Sequence, residues 1–300
     1  MKNKCVHRYL KNCRINPQPP GFADFLSGTI TLFILSKRHG FDFFIDWASH
    51  PIFKNFEYDD SVFIKIEEDE STFDTFEFIP PKTHEQSLKE LTGLFDRKED
   101  FCALTNYDQI VHFENKLGFT DEEKKMAFDF IKRMLSLEKG KAVEFEDLKK
   151  KAGLVDVNYT ALHFRFHDVC LINPNFGISQ EMINKMLNFI SNLERVEENI
   201  VIISNWLPFI SFITRFKPNL ISFGSKPIHT GDLDKHLGFN NGAIVDEKLR
   251  DTIFDMKILS ESNRIFAVSQ YGMTGFSGLT SKIYDIDFQF LEDISFTDNR

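Results

Sequence analysis

The apolar positions of this chain switch period several times, and each switch marks an element. Residues 5–10 read as a short strand. Gln18-Pro19-Pro20-Gly21 follows as a loop, because the two prolines lack the N–H that helix or central strand would need. Phe25, Leu26, Thr29, Leu32 and Phe33 then recur at helical spacing up to about His39, and Gly40 supplies the stop. Residues 41–47 are apolar almost throughout, as in a strand covered on both faces. Strand, helix and strand in that order predict a βαβ unit and a parallel sheet.

Residues 57–77 are acidic around Glu67-Glu68-Asp69-Glu70, which predicts a solvated loop or sheet edge, with an acceptor-binding role as the sharper alternative. Residues 83–154 read as helical. Within them Thr120 and Glu123 form a capping box, and Met126, Phe130, Ile131, Met134 and Leu135 form the expected core face. Lys149-Lys150-Lys151-Ala152-Gly153 closes this stretch and sets a domain boundary.

Alternation then resumes. Strands are predicted over 158–166, 199–204, 220–223 and 264–268. Helices are predicted over 179–193 (core face Met182, Ile183, Met186, Leu187 and Ile190), 206–216 and 246–259, and from a Gly-rich turn through Lys282 and Tyr284. The fold class is α/β: two Rossmann-like doubly wound domains, 1–155 with a helical insertion and 156–300, facing a cleft.

Composition narrows the function classes. Among 300 residues, 42% hydrophobic and 27% charged suit a globular core and surface. The 34 phenylalanines load that core with rings. A net charge of -9 argues against an extended nucleic-acid surface, though not against a small basic pocket for one diphosphate. Cys5, Cys13, Cys102 and Cys170 show no CxxC spacing and read as free thiols of a reducing compartment. The N-terminus has no apolar signal region, and no run approaches the roughly 18 apolar residues of a membrane span. A cytoplasmic protein without an integral membrane segment is expected.

Three constellations carry candidate chemistry. The first, His163-Phe164-Arg165-Phe166-His167-Asp168, ends the strand that opens the second domain, where ligands of open α/β sheets bind. An arginine there can fork two hydrogen bonds onto phosphate oxygens, or it can pair with Asp168 at a strand end. The second runs from Ser269 through Thr274, Gly275, Phe276 and Ser277 into a helix. Such a start offers N–H groups, hydroxyls and the positive dipole end to an anion, or it is an ordinary strand–helix turn. The third is Gly21-Phe22-Ala23-Asp24, in which Asp24 caps the following helix or faces sugar or acceptor. Neither a P-loop, a dinucleotide fingerprint nor a GxSxG elbow is present. His229, Asp232 and His236 read as a solvated loop, and Asp285-Ile286-Asp287 is a weak metal signal. No metal is expected.

In this order the three motifs resemble the GT-B fucosyltransferases of the α-1,6 and protein-O-fucosyl group, which includes a bacterial nodulation enzyme. Gly21-Phe22-Ala23-Asp24 and Ile45-Asp46-Trp47 look like its N-terminal turn and strand. His163-Phe164-Arg165-Phe166 looks like its His-x-Arg-Arg motif. Asp255, Leu259-Ser260, residues 264–269 and Thr274-Gly275-Phe276-Ser277 look like its late motif. Phe166 stands where that group carries a second Arg, and Ala23 where it carries Gly. The resemblance implies a glycosyltransferase of glycan biosynthesis, inverting and metal-independent. Its donor would be a nucleotide sugar, GDP-fucose first among them, and its acceptor a glycan or other hydroxyl compound. Arg165 would hold the β-phosphate and the charge of the leaving GDP, supported by His163. Ser269, Thr274, Gly275, Phe276 and Ser277 would take phosphate oxygens, Asp255 would reach guanine or ribose, and Gly21 and Phe22 would line the donor site. Asp24 is preferred over Asp168 and Asp46 as the base. The first domain would carry the acceptor side and the second the donor side. The Phe166 departure leaves open a non-catalytic nucleotide- or carbohydrate-binding relative, and a transferase using another nucleotide sugar is a further reading.

Overall fold

The computed structural model of the protein describes residues 2–9, 21–66, 74–78, 84–105, 117–166, 179–223, 242–269 and 275–294. They fall into two compact units, one up to Lys139 and the other from Gly140 onward.

The first unit contains β1 (Lys4–His7), α1 (Phe22–His39), β2 (Asp42–Asp46), β3 (Phe63–Ile64), β4 (Asp74–Phe78), α2 (His84–Asp96), β5 (Phe101–Thr105) and α3 (Asp121–Met134). Its sheet has the order β3-β2-β1-β5-β4, with every neighbouring pair parallel. Helix α1 ends at Gly40, whose φ of 78° is the left-handed value that a Cβ disfavours. Phe33 of α1 lies between Phe43 of β2 and Phe130 of α3, at ring-centroid distances of 5.8 and 4.7 Å. The expected capping box is present: Thr120 Oγ1 accepts from Glu123 N and Glu123 Oε2 accepts from Thr120 N.

Two expectations change here. Residues 83–154 are not helical throughout, because residues 101–105 form β5, which pairs with both β1 and β4. The expected core face of α3 also shifts. Ala127, Phe130, Ile131 and Met134 are buried, whereas Met126 is 49% exposed, because the stripe that meets α1 runs one residue further round the helix. Of the acidic stretch 57–77, residues 63–64 form β3 and residues 74–77 belong to β4, the strands at the two ends of the sheet order, and its centre Glu67-Glu68-Asp69-Glu70 lies outside the described residues.

The second unit begins with α4 (Lys139–Lys151), tied in by Phe145 against Phe254 and by Arg250 Nη1 donating to Glu144 Oε1 at 2.6 Å. There follow β6 (Thr160–Arg165), α5 (Gln180–Leu193), β7 (Ile200–Ser204), α6 (Leu207–Phe216), β8 (Ile221–Ser222), α7 (Gly242–Ser260), β9 (Arg264–Ser269), α8 (Gly275–Tyr284) and β10 (Asp287–Phe290). This sheet has the order β10-β9-β6-β7-β8 and is also parallel. One face of it packs Leu162, Phe164, Phe166, Phe266 and Val268 against Met186 and Ile190 of α5 and Phe209 and Ile213 of α6. Each fully buried ring contributes about 2–3 kcal/mol. The Asp285-Ile286-Asp287 signal is a turn: Asp285 has φ 57°, and Asp287 opens β10 and pairs with Arg264 at 2.6 Å.

Candidate functional site

In the second unit the chain runs from β6 through β7 to β8 on one side, while β9 and β10 lie on the other. The strand order therefore reverses between β6 and β9, and ligands of open α/β sheets bind outside the carboxyl ends at such a reversal. The residues ending those two strands, Arg165 and Ser269, are register partners.

Side chains alternate across a strand. Leu162 and Phe164 face α5 and α6, so His163 and Arg165 share the opposite face. There His163 Nδ1 and Ser277 Oγ of α8 share a buried hydrogen bond of 3.0 Å, which ties the start of α8 to β6. Burial first, then the charge of Arg165, pushes the His163 pKa down to about 3, so the ring is neutral at pH 7. Its centroid lies 5.9 Å from that of Phe276. His163 and Arg165 of β6, Ser269 of β9, and Gly275, Phe276 and Ser277 of α8 thus belong to two neighbouring interior strands and the helix that follows β9. Asp255 is buried in α7, the helix that packs on α8. Ser269 and Ser277 are also buried. Thr274, His167 and Asp168 lie outside the described residues.

Arg165 is half-buried, and its Nη1 donates to Phe166 O at 2.9 Å. The backbone of residue 166 is held in turn by Asn205, whose Oδ1 accepts from Phe166 N at 2.8 Å and whose Nδ2 donates to Phe166 O at 2.9 Å. The Phe166 ring is fully buried against Trp206 and Phe209, at centroid distances of 5.2 and 4.7 Å. The position where the resembled group carries a second Arg is therefore a core position here. Asn205 was not among the sequence candidates. Its one signal is its place, directly after a buried strand beside β6.

Gly21, Phe22 and Asp24 belong to the first unit. Asp24, the third residue of α1, accepts from Gly21 N through Oδ2 at 3.2 Å, so the expected capping role is present from inside the helix. Phe22 is a core ring stacked among Phe25 and Phe56. At the carboxyl end of β2, Asp46 is fully buried. Its Oδ2 accepts from Arg8 Nε at 2.8 Å and its Oδ1 from Ala48 N at 3.1 Å. Ser49 Oγ donates to Asp46 O and accepts from Tyr9 N, and the Tyr9 and His50 rings stack at 4.2 Å. Arg8 was also missed, though it follows its strand as Arg165 ends β6. From the acidic stretch, Glu57, Tyr58, Asp59 and Asp60 line a cavity of about 540 Å³ with Arg133 and Ser136. Among the described residues no group of three His, Cys, Asp or Glu could hold a metal ion, and no helix is long and apolar enough to cross a membrane.

No protein-family model matches the chain, and no curated protein matches it in sequence. Solved structures do. The NodZ alpha-1,6-fucosyltransferase soaked with GDP-fucose aligns over 94% of this chain and 93% of its own, with TM-score 0.57 and 12% identity. Fucosyltransferase NodZ from Bradyrhizobium aligns over 93% of this chain and 91% of its own, with TM-score 0.55 and 12% identity. A point variant of Arabidopsis thaliana FUT1 in complex with GDP aligns over 99% of this chain and 73% of its own, with TM-score 0.63 and 8% identity. At such identities the likeness is one of architecture, and the chain has the α/β GT-B fold of these fucosyltransferases.

Proposed function

We propose that the protein is a glycosyltransferase that takes a sugar from a nucleoside-diphosphate donor, GDP-fucose first among them, and passes it to a hydroxyl of a glycan or similar acceptor. One observation carries the reading. Arg165 and Ser269 end adjacent strands where the strand order reverses, beside a helix start pinned by His163. The carboxyl ends of these strands offer a permanent cation and the start of α8 to one diphosphate. The GDP and GDP-fucose bound by structures of the same fold supply the donor class.

In this mechanism Arg165 stabilises the charge that grows on the departing GDP, and preorganised electrostatics of this kind dominate such steps. Neutral His163 holds α8 against β6 and so fixes the second half of the anion site. Asp24, in the first turn of α1, is the candidate base for the acceptor hydroxyl, and direct displacement would invert the anomeric carbon. Asp46 is a poor base, since Arg8 and Ala48 N occupy its oxygens in a fully buried site. Residues 1–155 would serve the acceptor and 156–300 the donor, with no metal. A cytoplasmic location is supported by the unpaired thiols of Cys5 and Cys102.

Thermal shift with GDP, UDP, ADP and CMP tests the donor class, because a ligand of the folded state raises its melting temperature. GDP is expected to give the largest shift, and a flat panel removes the reading. The burial of Phe166 favours one alternative, a non-catalytic nucleotide-binding relative. Release of GDP from GDP-fucose, with or without an acceptor, separates an enzyme from a binder.

A further inference from the structure

Strand β7 gives up its register with β6 at the pair Phe164↔Ser204. Past that pair, the peptide of Phe166 has passed the end of its partner strand just where Arg165 needs a rigid base. Asn205 takes the place of the missing strand. Its carboxamide carries an acceptor oxygen and an NH2 of two donors, and so can complement a strand's N–H and C=O. It meets both polar groups of Phe166, N–H to Oδ1 at 2.8 Å and Nδ2–H to O at 2.9 Å. The same carbonyl oxygen accepts from Arg165 Nη1 at 2.9 Å. A carbonyl oxygen has two lone pairs, and here one serves Asn205 and the other Arg165.

We propose that Asn205 is a positioning residue for Arg165: it holds the backbone carbonyl to which the guanidinium donates, and so helps set the direction of the fork before an anion arrives. This rests on the reading of Arg165 as the diphosphate clamp. A planar guanidinium grips phosphate well only when both its place and its plane are right. The donation from Nη1 ties one end of the guanidinium to the Phe166 carbonyl, and that carbonyl is held because Asn205 bonds both the N–H and the C=O of residue 166. The Phe166 ring, locked between Trp206 and Phe209, secures the same peptide from below.

The test is a double-mutant cycle on the full chain, reading the GDP dissociation constant by calorimetry for wild type, Asn205→Ala, Arg165→Ala and the double variant. Expected is a loss of about tenfold for Asn205→Ala and about a hundredfold for Arg165→Ala, with the double variant no worse than Arg165→Ala alone. The fall in melting temperature caused by Asn205→Ala is expected to be the same in both Arg165 backgrounds, so general destabilisation does not mimic the coupling. If the two losses multiply, or if Asn205→Ala binds GDP as wild type does, the positioning role is wrong while the clamp stands. If Arg165→Ala leaves GDP affinity unchanged, or wild type binds no GDP, the clamp reading fails and the positioning role with it. Asn205→Ser, smaller and still polar, replaces Asn205→Ala if the latter does not fold, and the same coupling with Arg165 is required of it.

Discussion

His163 and Ser277, 114 residues apart in the chain, meet in a buried hydrogen bond of 3.0 Å that joins the central strand of the second sheet to the start of α8. The bond places a neutral imidazole beside a guanidinium, and burial with that charge holds the ring's pKa near 3 instead of the ordinary 6.5. Between those values the unfolded chain binds a proton at this site and the folded chain does not. Stability is therefore complete above about pH 6.5 and falls as pH drops toward the folded value. Melting temperature measured from pH 7.5 to 5 is expected to decline, and His163→Asn to flatten the decline while lowering the plateau. An equal slope in the variant assigns the pH dependence to other groups.

Arg165→Ala is expected to weaken GDP binding about a hundredfold, the upper range for a charge-assisted pair of hydrogen bonds. Arg165→Lys keeps the charge and loses the fork, so a smaller loss of about tenfold is expected. Calorimetric titration with GDP reads both. Near-wild-type affinity in the alanine variant assigns the diphosphate to another residue.

Most of this site could be read in the chain because strand ends and helix starts announce themselves locally. His163, Arg165 and Ser277 follow from a buried strand and a Gly-rich turn, and the order of the motifs joined them. Asn205 could not be read that way. A polar residue after Ile200–Ser204 looks like any turn, and its meaning depends on which strand lies beside it. Residues 101–105 misled for a related reason: a five-residue apolar run among helix formers has no period of its own, and only pairing with β1 and β4 makes it a strand. Met126 went astray by one position, because the elements packed on α3, with Phe33 of α1 and Phe43 of β2 against Phe130, decide which stripe is covered.

Asp24 holds Gly21 N in either role, so the substitution must separate cap from base. Asp24→Asn keeps a carbonyl oxygen for Gly21 N and cannot take a proton. If Asp24 is the base, kcat is expected to fall about 10²–10⁴-fold with the melting temperature nearly unchanged. If it only caps α1, turnover survives in Asp24→Asn, and Asp24→Ala costs about 1 kcal/mol of stability.

Asp46 makes the opposite prediction, because its oxygens serve the fold. Asp46→Ala leaves Arg8, whose side chain is 25% exposed, without this carboxylate, and releases the turn at Ala48. A loss of about 2 kcal/mol is expected, below the cost of breaking a fully buried pair because water reaches Arg8. Urea denaturation monitored by tryptophan emission reads it, since Trp47 adjoins the turn. GDP affinity is expected to stay within about twofold of wild type, as the Asp46 oxygens are taken by Arg8 and Ala48 N within a fully buried site.

Restoring arginine at position 166 is the obvious attempt to strengthen the site, and it is expected to fail. Phe166 is fully buried, and its ring packs against Trp206 and Phe209. On the strand's alternation it faces α5 and α6, away from Arg165. Phe166→Arg therefore buries a charge among rings and removes a ring from the core. Loss of the ring alone costs about 3–5 kcal/mol, and the unpaired charge adds to it. Phe166→Leu retains apolar volume and is expected to cost about 1–2 kcal/mol. Melting temperature and GDP affinity measured together decide the point. A folded Phe166→Arg chain that binds GDP more tightly than wild type shows that this position can turn to the ligand. An insoluble or strongly destabilised one shows that position 166 belongs to the core and has no room for a second basic contact to the ligand.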